Sequence, residues 1–109
     1  MPLTPLEALR SALVALTEKV YRYTAPPNEM PPYLIWAEDS RNDFVAGDRH
    51  CENAWQGTVD LYTMDEADPL TGQVETALDS LPCCAWYLNS TQYEEDTGLI
   101  HHEWVWTVA

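Results

Sequence analysis

The sequence predicts an α+β domain, a mostly antiparallel sheet of four to five strands with two amphipathic helices packed on one face. Three observations carry this reading. Two segments repeat apolar residues at spacings of three and four behind a capping residue and a proline; several others alternate apolar and polar residues as strands do; and 109 residues suffice for one core but not for two ordinary domains. Residues 1–109 are therefore read as a single domain, in the order α-β-(β)-β-α-β-β.

The first helix has clear punctuation. Thr4 can cap it, Pro5 suits the first helical position, and Glu7 stands three residues after Thr4 as in a capping box. Leu6, Leu9, Leu13, Leu16 and Val20 form one stripe, and the pattern runs to about Tyr23. Residues 24–32, with Pro26-Pro27 and Pro31-Pro32, read as a stiff connector because proline fixes φ and removes an amide donor. Tyr33 to Glu38 reads as a central strand: Tyr33, Ile35 and Ala37 face one way, Leu34 and Trp36 the other, and both faces are apolar.

Asp39 to Arg49 is a polar excursion with room for one short strand, and Phe44 and Val45 are its large apolar residues. Cys51 to Thr63 then reads as a long strand with Trp55, Gly57, Val59, Leu61 and Thr63 on one face. Asp68 as cap and Pro69 at the first position open the second helix, whose stripe is Leu70, Val74, Ala77, Leu78 and Leu81, with Pro82 ending it. Ala85 to Tyr93 and Leu99 to Val108 form a hairpin, with Gly98 supplying a positive φ in the turn. In its last strand Ile100, His102, Trp104, Trp106 and Val108 share a face.

A composition of 46% hydrophobic residues, with five Trp and six Tyr, supports a packed interior and argues against disorder. Eighteen acids against five bases give a net charge of −13, which disfavours binding to a nucleic acid backbone or an anionic membrane. The charge is segregated. Residues 1–23 hold three bases and two acids, a net of +1, so the rest of the chain carries −14 with Arg41 and Arg49 as its bases. No apolar run approaches the length of a membrane span. Cys51, Cys83 and Cys84 show no CxxC spacing and follow no leader-like apolar segment, which predicts free thiols in a reducing cytosol.

His50-Cys51, Cys83-Cys84 and His101-His102 are adjacent pairs, and neighbours in an extended strand point to opposite faces. Each pair then offers at most one ligand to a given site, short of the four that structural zinc requires, so no metal site or cofactor is assigned. No glycine-rich phosphate cradle and no nucleophile signature surrounds these residues, so no catalytic residue is assigned either. Asp65, Glu66 and Asp68 lie where carboxylates favour a helix start, and Glu94, Glu95 and Asp96 fill the hairpin turn; neither group has calcium-loop spacing.

Taken together, PPYLIWAED, a polar excursion ending in DRHCENAWQGTVDLYT, a DPL helix start and CAWYLNSTQYEEDTGLIHHEWVWTV resemble the tail-completion or tail-terminator proteins of long-tailed phages and prophages. The resemblance spans almost the whole chain and rests on element order and aromatic strands. It implies a structural protein rather than an enzyme. Such a protein forms a homo-oligomeric, hexameric ring in the virion that caps the tail tube, stops its polymerisation and joins it to the head connector. DNA passes through the ring without sequence-specific binding, and the acidic charge suits a lumen that repels phosphates.

Arg41, Phe44, Val45 and Arg49 in the excursion, with Trp106 as an outward aromatic, are the expected subunit or neighbour contacts. Two other readings stand beside this one: a head-closure or stopper protein of the same joint, and an acidic inhibitor, either a DNA mimic or an immunity protein. An enzyme with a thiol or metal site is a third.

Overall fold

The computed structural model describes residues 3–41 and 54–109, together with the backbone at 45–46 and 49–50. Its elements run α1 (Pro5–Val14), β1 (Val20–Arg22), β2 (Tyr33–Arg41), β3 (Val45–Ala46), β4 (Arg49–His50), β5 (Trp55–Thr63), α2 (Pro69–Asp79), β6 (Cys84–Glu94) and β7 (Leu99–Val108). Five strands form a mixed sheet in the order β1-β2-β5-β7-β6, in which β1 and β2 are parallel and every other pairing is antiparallel. The α+β class and the element order are those that the sequence predicts, and Tyr33–Arg41 does lie inside the sheet. The polar excursion holds two short strands, β3 and β4, paired with each other apart from the main sheet.

Both helices begin as their sequences dictate. The Thr4 hydroxyl accepts from the Glu7 amide while the Glu7 carboxylate accepts from the Thr4 amide, a complete capping box. Asp68 Oδ1 accepts from the Leu70 amide at 2.9 Å, and its Oδ2 accepts from the Thr63 hydroxyl at 2.6 Å, which ties the start of α2 to the end of β5.

The first helix departs from expectation at its far end. It stops at Val14 rather than near Tyr23, and Val20–Arg22 becomes an edge strand. The Thr17 hydroxyl accepts the Lys19 amide at 3.3 Å, a local bond that competes with helix continuation. Beyond it Val20-Tyr21, a β-branched and an aromatic residue, are better accommodated beside β2. The apolar stripe is conserved in purpose, since Leu16 and Val20 still pack on the core through a different backbone.

The core lies between the helices and one sheet face. Leu9 and Leu13 of α1 and Leu70, Val74 and Leu78 of α2 meet Leu34, Trp36, Val59, Leu61, Trp104, Trp106 and Val108 from the inner faces of β2, β5 and β7. Two indoles fasten α2 to the sheet: Trp104 Nε1 donates to Glu75 at 2.9 Å and Trp86 Nε1 donates to Asp79 at 2.6 Å. Glu75 and Asp79 are four apart, hence on one helical face.

Trp106 calls for a correction. It is fully buried, not outward, because it stands opposite Gly57 on the helix-covered face. The large exposed apolar side chains of the hairpin belong instead to β6, at Tyr87, Leu88 and Tyr93. The cysteines need a second correction. Cys83 is disulfide-bonded while Cys84 is free, so three free thiols are not present and the bond is not vicinal; its partner lies outside the described residues. Which thiols meet depends on tertiary proximity that spacing along the chain does not encode.

Gly57, in β5, has no room for a side chain. A Cβ there would lie 2.1 Å from the Ala37 carbonyl oxygen and 2.7 Å from Trp106 Cζ2. Gly72, inside α2, has nothing within 4 Å of the same position. Gly57→Ala is therefore expected to cost at least about 2 kcal/mol by overpacking, whereas Gly72→Ala gains about 0.5–1 kcal/mol by restricting the unfolded chain. Urea unfolding of the two variants checks both signs.

Candidate functional site

With both helices on one face, the opposite face of the sheet carries no covering layer among the described residues. Alternation puts Tyr33, Ile35 and Ala37 of β2, Thr58, Asp60 and Tyr62 of β5, and His101, Glu103 and Val105 of β7 on this outer face. Register then assembles a constellation that no single strand contains. Tyr33 pairs with Tyr62, Tyr62 with His101, and Asp60 with Glu103.

The three rings form a continuous stack across three strands. Tyr33 and Tyr62 have centroids 5.0 Å apart at 20°, and Tyr62 and His101 are 4.3 Å apart at 14°. At the end of the stack His101 Nε2 lies 2.9 Å from Asp60 Oδ1, and the two side chains are only 19% and 16% exposed. Glu103 completes the group, with one donor atom from each of Asp60, His101 and Glu103 lying within 4.8 Å of the others.

Burial and nearby carboxylates both act on the tyrosines of the stack. Burial pushes the Tyr62 hydroxyl up to about 12, aided by the charges of Asp60, Glu94 and Glu103 and by Tyr33. Tyr33 is raised as well, by burial first and then by Glu94 and Glu29. Three of the described bases are engaged elsewhere: Lys19 with Glu29, Arg22 bidentate to Glu38 and over the Trp36 ring, and Arg41 over the Trp55 ring.

No protein-family model matches the chain and no curated relative matches it significantly. The chemistry of the site is therefore read from its own residues.

His102 points to the inner face, as alternation requires, and its Nδ1 lies 3.0 Å from the Thr91 hydroxyl. Burial and the neighbouring His101 lower its pKa, which keeps its ring neutral and leaves it a packing residue beside Trp104. Burial also raises the Cys84 thiol to about 11, so little thiolate forms at neutral pH. A concavity of about 590 Å³ between α1 and α2 is lined by small residues such as Ala12, Ala15, Gly72 and Thr76, and none of its lining side chains titrates.

Of the residues expected at interfaces, Arg41 ends β2 with its guanidinium 5.4 Å from the Trp55 ring centroid. Val45 and Arg49 have described backbone in the β3–β4 pair, Phe44 lies outside the described residues, and Trp106 is in the core. Of the two with described side chains, Arg41 is exposed at the end of β2 and Trp106 is buried, so these two share no surface. The outer-face group was missed because two of its three polar members are carboxylates on different strands. The alternation of β5 and β7 placed each on a face, but the register between the strands was not legible.

Tyr62 supplies a direct check on the site. The folded state keeps its hydroxyl protonated to about 12, whereas an unperturbed tyrosine ionises near 10.0. Its contribution to stability is therefore complete below pH 10 and is lost as pH rises through 12. Phenolate absorbance should show a late-titrating step, coincident with or preceding alkaline unfolding, that is smaller in Tyr62→Phe. A wild-type titration in which all tyrosines ionise near 10 would contradict the burial of the stack.

Proposed function

We propose that this chain is a non-enzymatic structural subunit of a long-tailed phage virion, a terminator that rings the end of the tail tube at the head-tail joint. Its partners are further copies of itself, the tail tube protein and the head connector. The observation that carries the reading beyond the resemblance in element order is the edge strand β6. Its run CAWYLNSTQY has no charged side chain before Glu94, and it exposes Tyr87, Leu88 and Tyr93.

Monomeric proteins protect sheet edges with charges, prolines or short strands. Here an eleven-residue strand with a single register shift, between Leu88 and Ser90, ends the sheet with no further strand beside it among the described residues, in a chain of net charge −13. A protein that assembles has a use for such an edge, and a ring built from heterologous contacts requires a surface of this kind on every subunit. No helix among the described residues is long and apolar enough to cross a membrane, so a lipid-embedded role for the helices is unsupported.

The acidic-inhibitor reading loses ground for a physical reason. Glu7 and Asp68 cap helices, Glu75 and Asp79 receive indole protons, and Glu29 and Glu38 hold Lys19 and Arg22. Carboxylates occupied in this way are poor mimics of an exposed phosphate ladder.

Two substitutions on the open edge, Tyr87→Lys with Leu88→Lys, should leave the circular dichroism spectrum unchanged and convert the oligomer to monomer by native mass spectrometry. An oligomer that survives them removes the β6 interface. Imaging of tails made without the protein distinguishes its role: overlong tubes indicate a terminator, normal tubes with unattached heads indicate a closure protein, and normal virions end the proposal.

A further inference from the structure

Asp60 and Glu103 occupy directly opposed positions on β5 and β7. Like charges so placed destabilise a strand pair, and they do so more as the side chains leave water. The Asp60 side chain is only 16% exposed, and the Glu103 carboxylate makes no hydrogen bond among the described residues. The Thr58 hydroxyl reaches Asp60 at 3.4 Å, too long to offset much charge. The base that faces the pair is His101, whose ring is held in place by Tyr62 and, through it, by Tyr33.

We propose that Asp60, His101 and Glu103 form a binding site for one divalent transition-metal ion on the open face of the sheet. The inference goes beyond the assembly role proposed above and does not depend on it. An imidazole with two carboxylates suits zinc, cobalt or manganese, because the nitrogen ligand favours these over magnesium and calcium. Ligand bonds of 2.0–2.1 Å place the donors of a tetrahedral zinc site roughly 3.3 Å apart. Asp60 Oδ1 and His101 Nε2 are 2.9 Å apart, and a side-chain rotation of Glu103, from within 4.8 Å, closes the third edge.

The dication neutralises the opposed carboxylates and takes the imidazole in its neutral form, releasing a proton if His101 was charged. Ligands come from two strands, so binding also clamps β5 to β7. Three protein ligands leave coordination positions open toward the uncovered face, available to water or to a donor from a neighbouring chain.

The test uses the full chain freed of metal with a chelator. Titration with cobalt(II) is followed by visible absorbance and by calorimetry, then repeated with zinc as competitor. One equivalent should bind with micromolar affinity and give the d–d bands of a site that contains nitrogen. His101→Gln, Asp60→Asn and Glu103→Gln should each weaken binding at least tenfold, whereas Glu94→Gln with Glu95→Gln and Cys84→Ser should leave it unchanged. The two carboxylate variants relieve repulsion, so they are expected to fold, and circular dichroism verifies this. Absence of binding by the wild type overturns the proposal. So does binding that persists in His101→Gln or disappears with the hairpin-turn variant, since either places the ion elsewhere.

Discussion

Trp106 occupies the space that a side chain at position 57 would fill, and much of the architecture follows from that accommodation. With glycine on β5, the indole of the neighbouring strand can lie close to the backbone of Ala37 and Glu38 on the far side. Trp36, Trp104 and Trp106 then form a layer of aromatic volume thick enough for two helices to cover. Burying indoles yields much apolar area per residue, which a chain of this size needs because its surface is large relative to its interior. The arrangement has a cost. Trp106 Nε1 is buried without a hydrogen-bond partner among the described residues, while the indole N–H groups of Trp104 and Trp86 are satisfied by α2.

Those two indole bonds show how an acidic chain avoids being merely self-repelling. Carboxylates placed on α2 at a spacing of four accept from two strands, so negative residues serve as fasteners between layers. Asp68 does the same work at the join between β5 and α2. Near β1, Arg22 lies over Trp36 and binds Glu38, which keeps a short edge strand attached where few apolar contacts are available. Among the remaining described acids, Glu94, Glu95 and Asp96 lie at the hairpin turn, and Asp60 and Glu103 on the outer sheet face.

That residue of uncompensated charge gives the two sides of the molecule different characters. The helix-covered side is consumed by packing. The open side presents stacked tyrosines, an imidazole and a half-buried pair of carboxylates, and along one margin it ends in β6, where Tyr87 is exposed beside Val105. A surface of this composition is suited to contact with other protein subunits and with small cations, and unsuited to polyanions. A subunit that encircles DNA without holding it would have the same properties.

Helix starts, the turn at Gly98 and the alternation within the long strands were legible in the sequence because they depend on residues a few positions apart. Thr4 with Glu7, Asp68 with Pro69, and the alternation of Leu34, Trp36, Val59 and Leu61 are local codes. The end of α1 was not, since Leu16 and Val20 satisfy the core equally as helix or strand and the choice falls to pairing with β2. The burial of Trp106, the bonding of Cys83 and the meeting of Asp60 with His101 and Glu103 were likewise decided by tertiary structure. Each depends on which residue of a distant strand or loop lies opposite, and that register is settled by packing the whole aromatic layer at once. What the sequence alone determined is the α+β class, the two capped helices, the residues that share a face on each long strand and a charge that repels polyanions.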